Sequence, residues 1–112
     1  MNLKQAEEYY TWVGERNVEK IKDYLHEDVE FYGPLATHKG IDAVVNATRN
    51  FMNTFKSLSI RAKLGAGDQA MIVYDVDIPE ISPTFMGTSL LTFREGKISK
   101  IELYFDGSRF KK

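Results

Sequence analysis

Few side chains in this sequence could do chemistry, and they are scattered. His26 and His38 are the two imidazoles in 112 residues, and cysteine is absent. Thiolate nucleophiles, disulfides and Cys-based zinc or iron–sulfur sites are therefore excluded. Neither histidine stands at a metal-ligand spacing from nearby carboxylates, so neither a metal nor any other cofactor is implied. His38 lies just before the longest apolar-striped helix, where an imidazole suits proton transfer because it titrates near neutrality; an exposed loop histidine is the plainer alternative. His26 lies among Asp23, Glu27, Asp28 and Glu30, a hydrated acidic corner to which we assign no chemistry. Asp75 and Asp77, two apart, share one face of a strand about 7 Å from each other, a carboxylate pair in form. The apolar set Ala70, Ile72, Tyr74, Val76 and Ile78 claims the interior, which puts both aspartates outside. Asp106 follows the last strand, where partial loss of water would make its carboxylate a general base; the plainer reading is a cap on the strand end. Tyr9, Tyr32, Tyr74 and Tyr104 carry phenols able to orient a bound carbonyl or hydroxyl. No Gly-rich phosphate loop, nucleophile elbow or Ser/His/Asp order occurs, so nucleotide-dependent and serine-hydrolase chemistry are set aside.

The elements that must position these groups read as one α+β domain over residues 1–112. Leu3, Ala6, Tyr9, Tyr10 and Val13 recur at helical spacing until Gly14. Asn17 caps a second, short helix whose buried face is Val18, Ile21, Tyr24 and Leu25. Val29, Phe31 and Gly33 then alternate with Glu30 and Tyr32 as a strand that Pro34 ends, since proline lacks the amide for a further ladder bond. A loop through Thr37 and Gly40 leads into the third helix, striped by Ile41, Val44, Val45, Thr48, Phe51, Met52 and Phe55. From Ser57 onward the period is two. Leu58, Ile60, Ala62 and Leu64 share a face; after a turn over 65–68 so do Ala70 to Ile78. Beyond Pro79 and Pro83 come Phe85, Gly87, Ser89, Leu91 and Phe93, and after Glu95-Gly96 a last strand with Ile101, Leu103 and Phe105. Helices packed on one side of a curved antiparallel meander are the expected architecture.

Composition narrows the function classes. The chain is 43% hydrophobic and 28% charged, ordinary for a globular domain. A net charge of −1 gives no field that would favour a polyanion, so nucleic acid is not an expected partner. The sequence opens with charged residues, and no window approaches the roughly 18 apolar residues of a membrane span. No membrane association is expected, and a cytoplasmic location is.

Several strings, in this order and with these gaps, resemble the nuclear transport factor 2-like superfamily and, within it, the SnoaL-like polyketide cyclase and ketosteroid isomerase branches. They are Ala6-Glu7-Glu8-Tyr9-Tyr10, Asn17-Val18-Glu19-Lys20-Ile21, Val29-Glu30-Phe31-Tyr32-Gly33-Pro34, Lys39-Gly40-Ile41-Asp42, and Phe93-Arg94-Glu95-Gly96-Lys97-Ile98 with Tyr104-Phe105-Asp106. The resemblance implies a cone, in which the curved sheet wraps three N-terminal helices and leaves a pocket open at one end. Phe31, Gly33, Tyr74, Ser89, Leu91, Ile101 and Leu103, with Tyr9, Phe51 and Phe55 from the helices, would form its wall. The alternative is a cone filled by its own aromatics. By the same resemblance Tyr9 stands where the isomerases carry a first-helix tyrosine. Their base position, immediately before Pro34, holds Gly33, and their neutral-acid position holds Ser89, which donates a hydrogen bond but does not titrate near neutrality. A dienol mechanism of that design is therefore disfavoured. Family members commonly dimerise across the outer sheet face, which here presents Met71, Val73, Leu90, Thr92 and Tyr104 among Arg61, Asp75, Lys100 and Glu102; a homodimer is expected.

Three functions follow in order. The first is a protein binding a small lipophilic ligand in the cone. The second is a cofactor-independent isomerase, cyclase or dehydratase on a lipophilic carbonyl substrate, with Tyr9 donating to a developing oxyanion and Asp106 or His38 moving the proton. The third is a non-catalytic dimerisation module.

Overall fold

Ala6, Tyr9, Tyr10 and Val13 are the buried residues of the first helix, at i, i+3, i+4 and i+7, a stripe that faces a sheet. In the computed structural model, which describes residues 2–105 with the side chains of Ser82 and Pro83 excepted, this helix is α1 (Asn2–Gly14). In α2 (Val18–Lys22) the Asn17 side chain accepts from Lys20 N–H at 3.1 Å, a cap at its first turn. The helix is shorter than its apolar spacing predicts. Tyr24 and Leu25 leave it because Leu25 opens β1 (Leu25–Tyr32), and Tyr24 C=O accepts from Ile98 N–H at 2.8 Å. Tertiary pairing here overrides local periodicity.

The segment predicted as a loop after Pro34 contains a strand instead. Gly33 N–H bonds Ala36 C=O at 3.0 Å, and this tight turn folds β2 (Thr37–Lys39) back antiparallel onto Glu30–Tyr32. Gly40, at φ 90°, then redirects the chain into α3 (Ile41–Met52), a backbone angle that suits glycine. The exit of α3 is pinned to the end of α1 by Arg16. Its Nε donates to Met52 O at 3.0 Å, its Nη2 donates to Phe55 O and to Lys56 O (3.2 Å), and its guanidinium lies 4.7 Å from the Phe55 ring centroid.

The meander follows as β3 (Ser57–Ala66), β4 (Gln69–Ile78), β5 (Ser82–Arg94) and β6 (Lys97–Tyr104). The six strands form one sheet in the order β2-β1-β6-β5-β4-β3. One pairing is parallel, β1 with β6, and the rest are antiparallel. Register shifts at Ile60/Ala62, Val76/Ile78 and Thr92/Phe93 add bulges that bend the sheet around the helices. Ala70, Ile72, Tyr74, Val76 and Ile78 are all buried on the concave side, and Asp75 and Asp77 face outward between them. Asp75 Oδ2 pairs with Arg61 Nη2 at 3.1 Å, whereas its Oδ1 is covered and has no partner among the described residues. The same outer face carries Leu64, Met86 and Tyr104, respectively 66%, 58% and 55% exposed. Among the described residues no helix is long and apolar enough to cross a membrane.

Candidate functional site

A cavity of about 250 Å³ lies between the concave sheet, α1 and α3. Tyr9, Tyr10 and Val13 of α1 and Ala47, Thr48 and Phe51 of α3 form one side. Phe31, Tyr74, Val76, Phe85, Gly87, Ile101 and Leu103 form the sheet side, and Gly33, Leu35, Ala36 and His38 border it from the turn and short strand after β1. No carboxylate, lysine or arginine borders it among the described residues. The wall is therefore hydrocarbon with a few hydroxyls and one imidazole, whose ring packs 5.8 Å from that of Phe31.

The phenols are set by ring packing. Tyr9 meets Tyr10 edge-on at 5.1 Å between centroids, and Tyr10 stacks on Tyr74 at 4.9 Å and 29°. Burial pushes the Tyr9 phenol up to about 12; the neighbouring Thr48 hydroxyl draws it back somewhat, and Tyr74 adds to the rise. Tyr10 and Tyr74 are raised as well, chiefly by burial. All three are protonated donors at neutral pH. Beneath the wall Tyr10 Oη donates to Ser89 Oγ at 2.6 Å, and Ser89 Oγ lies 3.0 Å from Tyr74 Oη. Among the described residues no group of three or more His, Asp or Glu is placed to hold a metal ion.

A family model described as a SnoaL-like domain matches residues 6–101. The chain belongs to this family. Solved structures carry the same fold. An NTF2-like protein of Cytophaga hutchinsonii, 18% identical, matches with a TM-score of 0.85 over 100% of this chain and 96% of its own. A proposed polyketide cyclase of Sinorhizobium meliloti, 15% identical, matches at 0.82 over 90% and 94%. A steroid delta-isomerase of Pseudomonas aeruginosa, 18% identical, matches at 0.79 over 92% and 77%. No curated protein matches the sequence.

Within this SnoaL-like domain Tyr9, Phe31, Gly33, Phe51, Tyr74, Ile101, Leu103 and His38 come together around the cavity. Three residues expected on the wall lie behind it. Ser89, fully buried, is covered by the two phenols it bonds. Leu91 is fully buried further along β5, opposite Ala70 and Ile101. Phe55 turns back against Phe51, 5.0 Å away, beneath the Arg16 guanidinium. Asp106 lies outside the described residues. Tyr10, Ala47, Thr48, Val76, Phe85 and Gly87 were not among the expected lining residues. A signal for Val76, Phe85 and Gly87 was present, since they share the period-two face with Tyr74 and Ser89. Where along that face the helices stop filling the cone had no local signature.

Proposed function

We propose that this SnoaL-like domain binds a small, flat, lipophilic ligand in the cone. The observation that carries the reading is the cavity itself, about 250 Å³ with an apolar wall and protonated phenols. Its volume lies just under the range of drug-sized pockets, which points to a ligand of one or two rings. A wall without charge favours a neutral guest, because an ion would lose its hydration with no opposite charge to replace it. The neighbours named as a cyclase and an isomerase use the same fold and support the reading. Bicyclic aromatic probes are expected to raise the melting temperature, by the equivalent of about 2.7 kcal/mol at 100 times the dissociation constant. Ala47→Phe, which fills the cavity from α3, should abolish the effect. A wild-type melting temperature that no probe moves would sink the proposal.

A second reading rests on His38, whose imidazole borders the cavity alongside Tyr9. In it the domain is a cofactor-independent isomerase or cyclase, with Tyr9 donating to a developing oxyanion and His38 moving the proton.

We also propose that a second copy covers the outer sheet face. Leu64, Met86 and Tyr104 project from it, an exposed apolar set that an isologous contact would cover. Sedimentation should give twice 12.8 kDa, and Met86→Asp should shift the boundary to the single chain. A wild-type protein that sediments as one chain at tens of micromolar would refute this.

A further inference from the structure

The cavity has a closed end and an open one, and the sheet fixes which is which. β1 runs parallel to β6, β5 antiparallel to β6 and β4 antiparallel to β5, so the last residues of β1, β6 and β4 gather at one end with the first of β5. Lys56 N–H bonds Asp77 C=O there, which brings the exit of α3 to the same end. At mid-strand depth the wall is sealed, with Tyr9, Tyr10, Tyr74 and Ile101 at most 5% exposed. At the strand ends it opens, and Leu35, Ala36 and Thr54 border the cavity while themselves exposed.

This mouth is as apolar as the interior. Leu35 stands at the tip of the Gly33–Ala36 turn, 54% exposed, in a position that turns ordinarily give to polar or small residues. Among the described residues four large apolar side chains are exposed; Leu64, Met86 and Tyr104 lie on the outer sheet face, and Leu35 alone borders the cavity. The Thr54 hydroxyl is committed to Phe51 C=O at 2.7 Å, and His38 packs its ring against Phe31. A ring system seated against the sealed wall cannot grow inward, so a larger guest gains contact only outward, along Leu35.

We infer that the ligand is a ring system carrying an apolar chain, with the ring in the cavity and the chain leaving over Leu35, which sets the preference for that chain. The inference rests on the cavity-binding reading above and narrows its ligand class. A chain laid across Leu35 covers an apolar side chain that otherwise faces water and sheds its own hydration on one side. A charged extension gains nothing there, because no carboxylate, lysine or arginine borders the cavity among the described residues.

The test compares naphthalene with 2-butylnaphthalene by equilibrium titration followed through probe fluorescence. Full burial of one methylene raises affinity about fourfold, and cover on one side about twofold, so the wild type should bind the butyl compound about tenfold tighter. Leu35→Ser should lower that ratio to about threefold, and Leu35→Met should keep it. A merely structural role would weaken both probes alike and leave the ratio unchanged. A wild-type ratio under twofold would mean that something other than a ligand chain covers Leu35, and would overturn the inference. So would a ratio that Leu35→Ser lowers by less than twofold. Naphthalene that does not bind, or binding of either probe that survives Ala47→Phe, would instead remove the cavity reading on which the inference stands.

Discussion

Gly87→Ala is expected to destabilise the domain by about 2–3 kcal/mol, through overpacking and the loss of a buried hydrogen bond. A Cβ at 87 would stand 2.7 Å from Tyr74 Cε1 and 3.2 Å from its Cζ. The stack on Tyr10 at 4.9 Å blocks one line of retreat, and any other shift carries the ring into the cavity it borders. Moving it breaks the contact with Ser89 and distorts the cavity, so affinity for any cavity probe should fall together with stability. Urea unfolding of Gly87→Ala, Tyr74→Leu and the double variant makes the cause explicit. Because Tyr74→Leu removes the colliding atoms, the two changes should couple by more than about 1 kcal/mol, as residues in contact do. Losses that simply add would show that the glycine acts through something other than the Tyr74 ring.

The second large effect is expected at Arg16, which touches no part of the cavity. Arg16→Ala removes the donors to Met52, Phe55 and Lys56 carbonyls and the cation over the Phe55 ring. Hydrogen bonds from a charged group are individually worth about 1.5–3 kcal/mol, and partial exposure discounts them, so a total loss of about 2–3 kcal/mol is expected. Arg16→Lys should recover less than half, since an ammonium cannot serve several carbonyls with a planar fork. Probe affinity in the surviving folded fraction should weaken too, because the clasp holds Phe55 and, through it, Phe51 at the cavity wall. A loss under about 1 kcal/mol would mean that water replaces the guanidinium at these carbonyls.

The fold was legible wherever a period ran long. The ten residues of β4 alternate so strictly that both its inner apolar face and the outward position of Asp75 and Asp77 follow from spacing alone. The α1 stripe of Ala6, Tyr9, Tyr10 and Val13 was equally plain. Short elements were not. Tyr24 and Leu25 continue the spacing of α2, yet a parallel partner some seventy residues away claims Leu25 for β1. Thr37, His38 and Lys39 are too few to show a period, and they become strand because the turn at Gly33 delivers them to β1. The site was half legible for a related reason. Period two assigns Ser89 and Leu91 to the concave face and is right about the face. Whether a residue on that face meets space or protein depends on how far α1 reaches along the strands, a tertiary quantity. The Tyr10–Ser89 bond, across 79 positions, left no trace in either neighbourhood.

The placement of β6 bears on how the chain comes to be made. It is the last of the described strands in sequence, yet it lies between β1 and β5 and supplies the sole parallel seam that joins the first half of the sheet to the meander. During synthesis α1 can pack on β3 and β4 as they emerge, but the edge of β1 stays unpaired until β6 has left the ribosome. A stalled or shortened nascent chain would thus present two open strand edges at once, and chaperone demand should peak in that interval rather than after release.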